Sequence, residues 1–233
     1  MASDLILPGD IEKIKQAAKM SLYVFASCFL AYKDVTPSTH SSIITALESP
    51  VTRKLICVPR GSLKSSLGCV AYPIWLLINN PDLRILIDSE LFSNSATFLR
   101  EIQGHLTNSD LVSIFGEFKS KTWNTDEIVI KQRTKNLKEP SITVGGVGTT
   151  KVGQHYDIII GDDYNSPHNS NTPDKAQKVI NHYKYNLSIL EPEGTYVIIG
   201  TRYSENDLIG YILREQLQVA GFPETKLYNI KET

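Results

Sequence analysis

Hydrophobic positions along this chain recur first at helical spacing and then in short unbroken runs. Residues 10–32 repeat apolar side chains with helical period, and Asp10 stands where a cap would open the helix. "TPSTHSSIITALESP" predicts a second, shorter helix started by Ser38 or Thr39. From residue 53 the rhythm changes. "KLICV", "RILID", "YDIIIG" and "TYVIIGT" are apolar runs of strand length, separated by amphipathic stretches such as "KSSLGCVAYPIWLLI", "LFSNSATFLREIQGHL", "PDKAQKVINHYKYNLSI" and "ENDLIGYILREQL". Such alternation predicts an α/β fold, a mostly parallel central β-sheet flanked by helices. Pro73 should bend the first of these helices. Between residues 115 and 150, "TWNTDEIVIKQRT" and "PSITVGGVGTTKVG" read as antiparallel β additions, and "ETKLYNIKET" as a last strand stopping at the final residue.

Length and composition sharpen this picture only a little. The 233 residues, 41% of them hydrophobic, suit one domain with an ample core, organised as a helical prelude over 1–50 and a core over 51–233. A formal charge of −1 gives no global attraction for a polyanion, so any nucleic-acid contact must come from a local patch. Cys28, Cys57 and Cys69 are too few and too scattered for a disulfide framework and read as reduced core thiols; no Cys/His spacing resembles a zinc site. The most apolar N-terminal stretch, "MSLYVFASCFLAY", has 13 residues, too short to span a bilayer, and follows a charged segment unlike a signal peptide. No membrane association is expected.

The ends of the strands carry the candidate chemistry. "LICVPRGSLKSSLG" places Lys64 and Ser65 at a helix start after an apolar strand, yet Val58 and Leu63 occupy the glycine positions of G-x-x-x-x-G-K-[ST]. Free backbone N–H groups, the positive end of a helix, an ammonium and a hydroxyl are what a Mg²⁺-bound triphosphate needs, and Gly61 allows one close backbone approach. A plain strand–turn–helix with a surface lysine accounts for the same residues. "YDIIIGDD" ends in Asp162 and Asp163; in a parallel sheet these carboxylates lie at the same edge as the lysine loop, one to hold a metal and the next to orient or deprotonate water. A helix-capping pair is the alternative. "TYVIIGTR" ends in Thr201 and Arg202, where a hydroxyl could sense a γ phosphate.

The ordered series "VPRGSLKSS", "YDIIIGDDYNS" and "IIGTRYSENDLIGYIL" resembles the ATPase domain of the large terminase subunit of tailed bacteriophages, over roughly residues 30–230. The first segment is similar to that family's deviant Walker A, P-R-G-x-x-K-[ST], in which a glycine before the lysine is optional; T-R-Y-x-x-x-D-L-I-G is the most specific of the three. The resemblance implies a P-loop NTPase of the additional-strand type that hydrolyses ATP with Mg²⁺ to drive double-stranded DNA into a procapsid. It implies a nucleotide-binding loop of Pro59, Arg60, Gly61, Ser62, Leu63, Lys64, Ser65 and Ser66, with Lys64 on the β and γ phosphates and Arg60 reaching over them. Ser65 and Asp162 are implied as metal ligands, Asp163 as the catalytic acid in a place often held by Glu, and Thr201 as the coupling residue. "TPSTH", with His40 after Tyr32, is similar to the adenine-side segment, a capped helix with an exposed histidine being the equal alternative. The implied partners are DNA, a portal protein, a small terminase subunit and further copies in a homo-oligomeric ring, within the cytoplasm of a bacterial host cell.

Two departures accompany the resemblance. Where several terminases place an arginine before a glycine, this chain has Val152 before Gly153, which leaves Lys151, Arg133 and Arg202 as candidates for a cation given to a neighbouring subunit. The chain after Thr201 also leaves no room for a nuclease domain, so an isolated ATPase domain is expected. A helicase-like nucleic-acid-dependent ATPase, or a nucleotide-independent scaffold with a vestigial loop, would compete with the packaging motor. For DNA, residues 119–138 hold six Lys/Arg against two acids, with Trp123 among them; Lys131, Arg133 and Lys135 are the candidate backbone contacts, a solvated hairpin face being the alternative.

Overall fold

A computed structural model of the chain describes residues 8–215 and 225–229. Among these, eight strands form one sheet in the order β3-β4-β5-β2-β6-β7-β1-β8. β1 (Arg53–Cys57), β2 (Ile85–Ser89), β5 (Ile142–Val144), β6 (Tyr156–Asp162), β7 (Leu190–Gly200) and β8 (Thr225–Asn229) run parallel. β3 (Lys119–Trp123) and β4 (Glu127–Ile130) extend one edge as an antiparallel hairpin. β7 lies between β1 and β6, so one strand intervenes between the lysine loop and the acidic pair, the additional-strand arrangement.

Both faces of the central strands are covered, which is why their sequences read as continuous apolar runs. Ile56, Ile87, Ile158, Ile160, Val197 and Ile199 point to the face packed by α3 (Pro37–Glu48), α4 (Tyr72–Asn79) and α5 (Phe92–Leu106). Their neighbours Leu55, Leu86, Ile159, Tyr196 and Ile198 point to the face packed by α7 (Pro173–Ser188) and α8 (Leu208–Glu215). This two-residue alternation sorts the polar strand ends as well: Asp162 falls on the α4 side, Asp88 on the α7 side.

Several sequence expectations are corrected. The single helix over 10–32 is broken: α1 (Pro8–Met20) includes Asp10, and Ser21, in extended conformation, caps α2 (Leu22–Val24) by accepting the Val24 amide; a π-helical turn, Phe25–Phe29, follows. α3 begins one step earlier than Ser38, with Thr36 at the cap and Pro37 in its first turn, where a missing N–H costs nothing. The bend attributed to Pro73 takes the form of a π-helical segment, Ser66–Ala71, that gives way to α4 at Tyr72. β5 pairs in parallel with β2 rather than as an antiparallel addition, and only its pairing with β4 is antiparallel. A short helix that the hydrophobic pattern does not announce, α6 (Ser109–Phe115), is capped by Asn108. β7 begins at Leu190, earlier than "TYVIIGT", and α8 begins at Leu208 because Asp207 caps it. The end of the helix expected through Leu217 and the last four residues of the chain lie outside the described residues.

The three thiols are free, but Cys28 is exposed and only Cys69 is fully buried, so the expectation of three core cysteines holds for one and a half-buried second, Cys57. Among the described residues no helix is long and apolar enough to cross a membrane.

Candidate nucleotide site

β1 delivers the lysine loop to the carboxyl edge of the sheet. Gly61 (φ +83°) and Leu63 (φ +52°) both adopt left-handed conformations there, the first freely and the second against the preference of a side chain with a Cβ. Leu63 stands in a glycine position of the standard loop and keeps that position's geometry; its side chain packs on the core, which offsets the cost. Ser62 donates to the Pro59 carbonyl at 2.9 Å and closes the turn, after which the helix begins at Lys64. Residues 60–66 and Asp163 line an open cavity of about 340 Å³.

Three strand ends converge here. Lys64 is buried, and its Nζ donates to Thr201 Oγ1 at 3.0 Å and lies 3.4 Å from Asp163 Oδ1. Ser65 Oγ donates to Asp162, 2.9 Å from Oδ1 and 3.1 Å from Oδ2. The loop after β1, the acidic pair ending β6 and the threonine after β7 therefore meet around one ammonium. Burial pushes the Asp162 carboxyl up to about 7, the adjacent Asp163 adding to the effect, while Ser65 and Lys64 pull it down. A buried carboxyl with so little solvation favours whatever cation supplies its charge balance.

The donor set fits a hard cation of the Mg²⁺ type: one hydroxyl and one carboxylate, with the remaining positions open to water and phosphate oxygens. Among the described residues no group of three His, Cys, Asp or Glu side chains is placed to hold a metal.

The other predicted residues fall nearby or elsewhere. Arg60 is exposed at the rim, donating to the Tyr203 hydroxyl at 2.7 Å with its guanidinium over the ring. Asp163 takes a positive φ of 40° and donates its amide to the Ile199 carbonyl. His40 is buried, and its Nδ1 accepts the Thr36 amide at 3.0 Å, so the ring caps its own helix instead of facing the cavity. The basic patch does not converge. Lys131 pairs with Glu117 at 2.8 Å on the surface, Arg133 turns inward to the carbonyls of Glu139 and Leu83, and the exposed Lys135 donates its amide to Asp82. Trp123 packs against the core. Of the possible neighbour-directed cations, Arg202 is exposed, while Lys151, whose amide donates to the Tyr185 hydroxyl of α7, and Arg133 are half-buried.

A residue beside the site that the sequence pattern alone did not single out is Asp207. Asp207 is fully buried; its Oδ2 accepts the amides of Tyr203 and Ser204 and its Oδ1 that of Gly210. It ties the segment after Thr201 to the start of α8, and its position just before an apolar helical run was the readable signal.

No family model matches the chain. The large terminase subunit of Enterobacteria phage T3 is 29% identical over 156 residues, an alignment that takes in 64% of this chain and 25% of that protein. The chain thus spans about a quarter of the length of that relative. Among solved structures, S. cerevisiae Dbp5 bound to Nup159, Gle1, IP6 and ADP superposes with a TM-score of 0.51 at 11% identity, over 88% of this chain and 51% of that one. A second Dbp5 complex, with Gle1 and IP6, gives 0.51 at 12% identity, over 88% and 49%. The likeness to Dbp5 assigns the fold alone, a P-loop α/β sheet flanked by helices; with the partial match to a terminase, the chain is similar to ATPase-type motor proteins.

Proposed function

We propose that this chain is the ATPase domain of a phage large terminase subunit, hydrolysing ATP with Mg²⁺ to move double-stranded DNA into a procapsid. The observation that carries the reading is the meeting of Lys64, Thr201, Ser65, Asp162 and Asp163 at one sheet edge from three strands. The partial likeness to the phage T3 terminase supports the viral role. The portal protein, the small subunit and a ring of further copies follow from the same reading, as does action in the host cytoplasm.

In this account the triphosphate is substrate, and residues 60–66 bind it through backbone amides and the Lys64 ammonium, with Arg60 at the rim above. Ser65 and Asp162 would hold Mg²⁺, which supplies charge neutralisation at the phosphate oxygens when bound. Asp163 takes the proton of the attacking water as the new oxygen–phosphorus bond forms and the bond to the ADP oxygen breaks. Lys64, now paired with Asp163 and Thr201, turns its charge to the phosphates, which leaves Asp163 free to accept that proton. Thr201, sharing the ammonium, carries the change to the segment braced by Asp207.

The test is turnover against binding. Asp163→Asn keeps affinity for a fluorescent ATP analogue but loses about 10²-fold or more in turnover, the usual scale for removing a general base. Equal loss of binding in Asp163→Asn and Lys64→Ala would contradict the separate roles. No binding by the intact chain would favour a scaffold with a vestigial loop.

A further inference from the structure

Behind the acidic pair lies a buried polar cluster that takes no part in the contacts above. Asp88, at the carboxyl end of β2, is 1% exposed. Its Oδ2 accepts from the Tyr164 hydroxyl at 3.1 Å, from His182 Nε2 at 2.6 Å and from Asn186 Nδ2 at 2.7 Å, while Oδ1 accepts the Ser89 amide. His182 receives the Gly148 amide on Nδ1 at 3.4 Å, which leaves its ring hydrogen on Nε2, facing Asp88. Burial, with Asp88 beside it, pushes the Tyr164 hydroxyl far above its ordinary range, so it stays a donor.

Two segments of the site's edge are fastened to this one carboxyl group. The first is the turn that aims Asp163. Its left-handed residue is followed directly by Tyr164, whose ring folds back across Gly161, where a Cβ would come within 2.2 Å of Tyr164 Cε2. The tyrosine thus locks the chain reversal from below, and its hydroxyl is anchored on Asp88. The second is the connection from β5 to β6, residues 145–155. It leaves β2 through amide bonds from Gly145 to the Ile87 carbonyl and from Val147 to the Ser89 carbonyl, then meets His182 at Gly148. Its tip bears Val152, 81% exposed, between Lys151 and Gly153.

We propose that Asp88 is a hub coupling the position of the 145–155 loop to that of Asp163, with His182 and Tyr164 as the two positioning residues. Three donors share one buried oxygen, so loss or displacement of one re-aims the others, and a contact that shifts the loop tip is transmitted to the acidic pair. Its consequence for catalysis rests on the ATPase reading; the coupling itself does not.

Hydrogen–deuterium exchange on the nucleotide-free chain separates the two. Tyr164→Phe keeps the ring over Gly161 and removes only the hydroxyl. His182→Gln keeps a donor for Asp88 but cannot also reach Gly148. The expected result is reciprocal: Tyr164→Phe, which keeps the ring and its edge-on contact with His182, speeds amide exchange across 147–153 by about threefold or more through loss of the hydroxyl alone, and His182→Gln does the same across 163–166. The double variant exceeds neither single one by a further factor. Exchange across 147–153 left unchanged by Tyr164→Phe, or effects that add in the double variant, overturn the hub. Turnover is the second readout, kcat falling with KM unchanged in both variants; a wild-type chain that binds no ATP analogue refutes the ATPase reading while the exchange result still decides the coupling.

Discussion

The carboxyl edge of the central strands and the β3–β4 edge of the same sheet are both charged in sequence, and they fold to opposite outcomes. At the first, residues far apart in the chain are brought within hydrogen-bonding distance: Lys64 to Thr201, Ser65 to Asp162. At the second, residues two apart are driven to different neighbours, Lys131 to Glu117, Arg133 into the interior and Lys135 to the surface beside Asp82. Parallel strands all present their carboxyl ends on one side, so strand-end residues converge whatever their separation. A local run of like charge has no such constraint, and each cation finds its own partner.

Four variants sharpen this contrast. The largest effect belongs to Lys64→Ala, which should weaken ATP-analogue binding by about 100-fold or more, about 3 kcal/mol, measured by fluorescence titration. Retained affinity would place the nucleotide elsewhere. Next is a second buried lysine, Lys54, near the opposite, amino end of β1, which donates to the Leu47 carbonyl and lies over the Tyr72 ring, with no carboxylate paired to it among the described residues. Burial pushes it down to about 8 from an ordinary 10.5. The unfolded chain therefore holds the proton more tightly between those values. The stability linked to this group is fully present above pH 10.5 and is lost as pH falls through about 8, a swing of roughly 3 kcal/mol at most. Denaturant midpoints of the wild type minus those of Lys54→Met, taken at pH 7.5 and pH 10, should show this slope; parallel curves would refute it.

Smaller effects are expected at the hairpin edge. Arg133→Ala leaves the Glu139 and Leu83 carbonyls without their donor and should cost about 1–3 kcal/mol of stability, with nucleotide affinity unchanged. Smallest is charge reversal of Lys131 and Lys135 together. If these two exposed cations touch DNA, the slope of log affinity against log salt falls by no more than about 2, and Arg133→Ala leaves it untouched. A larger drop with Arg133→Ala would mean that the patch acts as one surface after all.

The sequence made the strand ends legible because two independent regularities coincide there. Apolar runs fix the strands, and a polar residue closing such a run has only one edge to occupy, as with Asp162, Asp163 and Thr201. The position of β7 between β1 and β6 is not written in any local pattern and came only through the resemblance. Local signals that needed a third dimension were misread: Asp10 as a cap when Ser21 breaks the helix, and β5 as antiparallel when its partner β2 lies upstream. Asp88 ends the run "RILID" as Asp162 ends "YDIIIGD", yet the pleat sends it to the other face of the sheet, toward His182. One residue of register separates a carboxylate at the lysine loop from one that anchors a tyrosine.

The most direct test is a crystal structure of the chain with a non-hydrolysable ATP analogue and Mg²⁺. The account predicts the terminal phosphates against Lys64 Nζ, the cation on Ser65 and Asp162, and Asp163 released from Lys64 to face the γ phosphorus. A nucleotide bound away from residues 60–66, or a Lys64–Asp163 pair left intact beneath a bound triphosphate, would contradict it.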